Sequence, residues 1–420
     1  MKSIVLCEHK RYEKDDCQEI KSFLANHNIQ LTGCPEGYRG EPPYLCLNND
    51  LEASYYIGAS WLVEDELHLI VRPKYENLDF VEMLITALSV KAKNVGDYFA
   101  KCYGIDFDGH QIETEENLDQ LTPILLLHYL TLLEKVVQAG LKKGYVTIED
   151  NLKLKIKGHI MMPNQIRHNL ISKRTDRNYC RYQIYTSDIP ENRLLKKALL
   201  FSQLMLNNLM KHGKYTAQIQ SRINKLNCAF EEVSDRIEIS QVKSLSTNKL
   251  FRQYPEAIRV AKSILRRFDY SISEVSAEKH KTPPFWIDMS GLFELYVYSK
   301  LEESYSNMIG FQVEGNGNVA DYIHKGERLI IDAKYKKIYK DSYDIMDIRE
   351  VSCYARDIKI LKNFGTINHD DNDEIKCLII YPDDGVINKE EPLWSQSEDI
   401  SKFKNFRKFG IKIPIKEEPR

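Results

Sequence analysis

Asp321, Asp332 and Lys334 are the residues whose types and spacing most directly suggest chemistry. They lie in VADYIH, a Lys325-Gly326 turn, and ERLIIDAKYKK, which reads as a β-hairpin with a two-residue loop. Pairing His324 with Glu327 would set Asp321 opposite Ile330. Strand side chains alternate faces, so Ile330, Asp332 and Lys334 share one face and Asp321 joins them across the pair. Two carboxylates and an ammonium would converge there. Hard carboxylate oxygens suit Mg²⁺, which polarises a phosphate and acidifies a bound water, while an ammonium orients the nucleophile or meets developing negative charge. That is the arrangement phosphodiester hydrolysis needs.

Asp-x-Lys by itself also describes a surface hairpin carrying a salt bridge. An upstream helix adds to it. Ser290–Ser304 spaces Leu292, Leu295, Tyr296 and Leu301 for burial and places Glu294 among them, where a carboxylate is costly unless it is paired, exposed or bound to metal. Glu294, Asp321 and Asp332 are therefore the candidate Mg²⁺ ligands, and these three with Lys334 the candidate catalytic set.

The elements that must position this set run through the whole chain. Tyr55–Leu62 and Leu67–Arg72 read as a hairpin around the acidic turn at Glu64–Glu66, and Phe80–Val90 as a helix with one buried face. A buried helix is expected from Asn117 to about Lys142, stopping near Gly140, then a strand around Leu152–Met162 and a basic passage from Asn164 to Tyr182 with little periodicity. Asp188, Pro190 and Glu191 open the next helix with capping-box spacing, and Gly213 follows its last apolar positions. Another helix spans roughly Asn248–Arg267, and the polar stretch Ser276–Pro284 marks a boundary.

With 420 residues, 43% hydrophobic and 29% charged, the chain reads as a globular protein of two or three packed units. The net charge of −2, from 59 basic and 61 acidic residues, supplies no bulk attraction to nucleic acid, so any DNA contact must be local. Nine irregularly spaced cysteines read as reduced thiols of a cytosolic protein; no CxxC pair supports a zinc site. The apolar run in MKSIVLCEHKRYEKDD is too short for a signal peptide and no stretch approaches a bilayer's width, which points to a cytoplasmic protein. A P-loop is missing, so nucleotide binding by this chain is not expected, and no helix-turn-helix or zinc finger reads bases.

In order along the sequence, YYIGASWLVEDELHLIVRPK, LKIKGHIMMPNQIRHNL, YCRYQIYTSDIPENRLLKKAL, LFELYVYSKL, ADYI and LIIDAKYKK resemble the McrC subunits of modified-cytosine-directed McrBC restriction systems. The resemblance implies a PD-(D/E)xK endonuclease that cuts DNA together with an McrB-like AAA+ GTPase ring, which the subunit stimulates. It matches Asp321 to the first acid, Asp332 to the second, Lys334 to the lysine and Glu294 to the helix glutamate. Ala320 replaces the usual proline, and Arg349 and Glu350 stand where a glutamine is common. The expected fold is α+β: a strand-rich adaptor over 1–185 for docking the partner, a helical region over 186–280, and an α/β nuclease domain over 281–420. Within the adaptor, the Tyr55–Lys74 hairpin is the expected docking projection. The competing reading is an adaptor that stimulates the ring and cuts weakly or not at all.

Overall fold

A computed structural model describes residues 2–13, 15–35, 38, 40–75, 77–88, 95–99, 101–106, 109–114, 121–209, 216–242, 251–273, 280–365 and 375–415. The chain folds as two compact units. One joins Met1–Leu121 to Glu278–Arg420; the other is Thr122–Ala277. The cut differs from the expected three consecutive regions, because position 185 falls inside the second unit and the N-terminal residues share the first with the hydrolytic motif.

That sharing has a strand-level cause. The N-terminal sheet contains β1 (Lys2–Cys7), β2 (Tyr56–Val63), β3 (Leu67–Arg72), β4 (Tyr103–Ile105) and β5 (Phe285–Asp288), in the order β1-β3-β2-β5-β4. β2 and β3 form the expected hairpin, yet β5 inserts between β2 and β4, antiparallel to both. Gly58, at φ 140°, is needed for that contact, since a Cβ there would sit 2.1 Å from the Phe285 carbonyl oxygen. The sheet is thus completed by residues more than two hundred positions downstream. IGASWL and LHLIV are largely buried, which a free docking projection would not be. The Tyr55–Lys74 segment is core, and the expectation that it projects is overturned.

β5 leads straight into the helix Met289–Ser304 (α1), where Asp288 accepts from the Gly291 amide at 2.9 Å and caps the first turn. A second sheet follows, built from β6 (Ile309–Glu314), β7 (Val319–His324), β8 (Leu329–Ala333), β9 (Lys376–Asp383), β10 (Glu398–Asp399) and β11 (Phe406–Lys412). Its order is β6-β7-β8-β9-β11-β10, with β8, β9 and β11 parallel. LIIDA is buried along its whole length, as expected for a central strand covered on both faces. Ile323, Ile330 and Ile379 pack with Ile348 and Val351 of the helix Ile345–Tyr354 (α2). Each such side chain contributes about 1.5–3 kcal/mol on burial.

The second unit holds the helices Leu121–Ala139, Pro190–Leu209, Thr216–Ala229 and Tyr254–Ser273. Gly213 and residues 115–120 and 248–250 lie outside the described residues. Asp188 bonds Arg193 at 2.8 and 2.7 Å and the Ser234 amide at 2.9 Å. Around the expected Leu152–Met162 the structure has two strands: Gly144–Lys153, paired over ten positions with Arg177–Thr186, and the short His159–Ile160, paired with Arg181 and Cys180. With His159–Ile160 added this arm is three-stranded, and along its two long strands half-buried positions largely alternate with exposed ones.

Cys34 and Cys46 form a disulfide, contrary to the expectation of thiols throughout. A bridge between Thr32 and Asn48 and the Gly33 N–H bond to the Leu47 carbonyl bring the two segments together. The other seven cysteines are free. Among the described residues, no helix is long and apolar enough to cross a membrane.

Candidate functional site

The β7–β8 connection is longer than the sequence suggested. His324 pairs with Leu329 rather than Glu327, and Tyr322 with Ile331. The register therefore moves by two residues, which preserves the face of every side chain. Continuing it one step sets Asp321 level with Asp332 instead of Ile330. The Asp321 Oδ2 accepts from the Ala333 amide at 3.0 Å, tying the first acid to the second strand.

Lys334 lies just beyond β8. Its Nζ stands 3.0 Å from Asp332 Oδ2 and 2.8 Å from Glu350 Oε2 of α2. Glu350 in turn accepts from the Tyr354 hydroxyl at 2.7 Å. Glu350 thus lies beside the site and shares the lysine with Asp332. Arg349 is exposed, and its guanidinium contacts Met346 instead.

Glu294 reaches the same place from α1 and is buried. Its carbonyl accepts from Tyr322 of β7 at 2.6 Å, and its Oε2 accepts from the Tyr98 hydroxyl and from Gln312 Nε2, the latter at 3.2 Å. Gln312 also approaches Asp321 Oδ1 at 3.4 Å. It sits on β6 between the pairs Phe311–Tyr322 and Val313–Ala320, directly across from Asp321, with φ 51°. A left-handed glutamine inside a strand is strained by roughly 1–3 kcal/mol, a cost that surrounding contacts must offset.

The electrostatics follow from this crowding. Burial, then Glu294 and Asp332, push the Asp321 carboxyl well above its usual range. Burial also raises Asp332 to about 6, against the pull of Lys334. For Lys334, burial favours the neutral form, but Asp332, Asp321 and Glu350 outweigh it and hold the ammonium. Glu350 is likewise opposed by burial and kept below its ordinary value by Lys334.

A second buried group braces the strand exit. Glu8 of the N-terminal segment, 1% exposed, accepts the Lys74 amide at 2.8 Å. The Lys74 ammonium donates to the Tyr335 carbonyl and lies 3.7 Å from the centre of that ring. Burial raises Glu8 to about 7 although Lys74 opposes it, and burial lowers Lys74 to about 8 although Glu8 opposes it. The backbone next to Lys334 is therefore held by residues from the other end of the chain.

The four residues expected at the site are thus together in one unit. Their donor set is of the hard-oxygen type a divalent magnesium ion takes. Asp332 Oδ2 is buried and faces the Lys334 ammonium at 3.0 Å. Among the described residues, no three His, Cys, Asp or Glu side chains are already arranged as a metal cage. Tyr98, Gln312, Lys74 and Glu8 were not foreseen. A strand reading of FQVEG would have put Gln312 opposite Asp321, while the other three carry no local signal.

A family model described as McrBC 5-methylcytosine restriction system component matches residues 51–354. The chain belongs to this family. The matched stretch contains Glu294, Asp321, Asp332, Lys334 and Glu350. No curated protein matches the chain. Two solved structures from Thermococcus gammatolerans are similar. One is a half-complex from a tetradecameric assembly of McrB AAA+ hexamers with bound McrC, 16% identical, covering 98% of this chain and 94% of that one at a TM-score of 0.38. The other is the McrBC complex, 17% identical, covering 73% of this chain and 88% of that one at 0.30. Membership of the McrBC family rests on the family model.

Proposed function

We propose that this McrBC-family chain is the Mg²⁺-dependent DNA endonuclease subunit, with a PD-(D/E)xK site, of a modified-cytosine-directed system, and that it works with and stimulates an AAA+ GTPase ring. The observation that carries the nuclease reading is the convergence of Asp321, Asp332 and Lys334 from adjoining strand segments, with Glu294 arriving from α1. Asp321, Asp332 and Glu294 would hold the ion, which supplies Lewis-acid polarisation of the phosphate and a more acidic water. Lys334, kept protonated by its carboxylate neighbours, stabilises negative charge that develops on the phosphate or orients the attacking water. Glu350 and Tyr354 fix the ammonium in place.

The test separates ligand from ammonium. Asp332→Ala removes cleavage and weakens metal binding, whereas Lys334→Ala lowers the cleavage rate by about 10²–10³ or more and keeps metal affinity. Undiminished cutting by Asp332→Ala would sink the assignment. An intact chain that stimulates a GTPase ring yet never cuts would leave the adaptor reading.

Docking on the ring moves from the Tyr55–Lys74 hairpin to the arm at 144–186. Its tip exposes Leu154, Ile156, Met162 and Ile171, and a buried Asn169, bonded to Asn151 at 2.9 Å and Gln165 at 2.7 Å, fixes the tip backbone. Exposed apolar side chains on a fixed polar frame suit a protein partner. Loss of GTPase stimulation in Met162→Asp/Ile171→Asp, with cleavage machinery untouched, is the expected result; full stimulation would reject the arm.

A further inference from the structure

The buried carboxylates of the candidate site have a neutral donor between two of them. Gln312 Nε2 lies 3.2 Å from Glu294 Oε2 and 3.4 Å from Asp321 Oδ1. Both long contacts come from one amide group, whose residue holds a left-handed backbone in the middle of a paired strand. Tyr98 shares the same Glu294 oxygen, and Ala333 takes the other Asp321 oxygen. One oxygen of Glu294 and both oxygens of Asp321 are therefore occupied by donors of this chain.

We propose that the Gln312 amide is a resident placeholder: it bridges Glu294 and Asp321 in the metal-free chain and withdraws when a divalent cation binds these carboxylates. The inference rests on the metal-site reading above and adds the residue that regulates loading. An amide suits the task because its N–H groups satisfy both acids without bringing a full charge. A lysine at 312 would neutralise the acids and stay. Without any donor, two buried carboxylates face each other and repel, or one keeps a proton. Withdrawal of the side chain also frees the strained Gln312 backbone to relax.

The placeholder makes opposite predictions for two substitutions, which a merely structural role would not. Mn²⁺ titrations of the full chain, free of DNA, read affinity calorimetrically, with Asp332→Asn as the control that removes the site. Gln312→Met, similar in length but without donors, is expected to bind Mn²⁺ about tenfold more tightly, since donor contacts to charged groups no longer compete. Gln312→Lys is expected to bind about tenfold more weakly or not at all. Gln312→Ala replaces the methionine variant if circular dichroism shows that the latter is misfolded. Asp332-dependent binding by the wild type, with Gln312→Met unchanged or weaker, overturns the placeholder and leaves the metal site standing. Binding by neither the wild type nor the donor-free variant overturns both.

Discussion

Two antiparallel hairpins of this chain have comparable local chemistry and opposite fates. β2–β3 and the 144–186 arm both pair β-branched and aromatic residues across a ladder. In the first, which lies inside its sheet with β1 and β5 on its two edges, Ile57 and Leu69 have no solvent exposure. In the second, Tyr145 and Tyr185 face each other at 5.2 Å between ring centres yet remain 73% and 62% exposed. The lesson is that pairing pattern sets a hairpin, whereas available neighbours decide whether it is core or surface. The core hairpin also ends in Lys74, which holds the strand exit beside Lys334.

The largest expected difference comes from truncating each hairpin. Leu69→Ala should cost about 2–5 kcal/mol by leaving a cavity in a filled sheet face. Removing Tyr56–Arg72 should abolish the fold of the first unit and cleavage with it. Replacing the arm by a short linker should keep the first unit's unfolding transition in denaturant titration. A folded, cutting chain lacking Tyr56–Arg72 would break the comparison.

An intermediate effect concerns pH. Glu8 is raised from 4.5 to about 7 by burial, so its contribution to stability is fully present below the unfolded value and is lost as pH rises through about 7. The Lys74 value, lowered from 10.5 to about 8, places its own change above that window. Thermal midpoints of the first unit should therefore fall between pH 5 and 8 by an amount corresponding to at most about 3 kcal/mol. Glu8→Gln should flatten that part of the curve. An equally steep profile in the variant would show that Glu8 is not its source.

The smallest stability effect belongs to the arm. Tyr145→Ala should cost only about 0.2–1 kcal/mol, the worth of a cross-strand pair. A loss of several kcal/mol would mean that the arm is structurally integrated despite its exposure, and would sharpen the contrast into a question about what supports it.

Much of the site was legible because strand periodicity is a local property. Asp332 and Lys334 fall on one face whatever the loop length, and the two-residue error in register left Asp321 on that face too. The helix Met289–Ser304 was visible from its apolar spacing, and Glu294 from its cost within that spacing. Glu350 looked like a departure from the family pattern because the sequence could not show that Lys334 points at it. The compact units do not follow the expected consecutive regions for a related reason: a sheet can borrow its next strand from anywhere in the chain.

By itself, the sequence determined the acids and the lysine, the strands and helices that carry them, and the family. Only the tertiary structure decided that Phe285–Asp288 completes the N-terminal sheet, that Lys74 braces Tyr335, and that Gln312 stands between Glu294 and Asp321. The physical reason is range. Periodicity, capping and turn chemistry act over a few residues and are written locally, while edge pairing, burial and charge compensation join residues far apart, as the bridge between Leu78 and Ile415 does, and exist only once the chain has closed on itself.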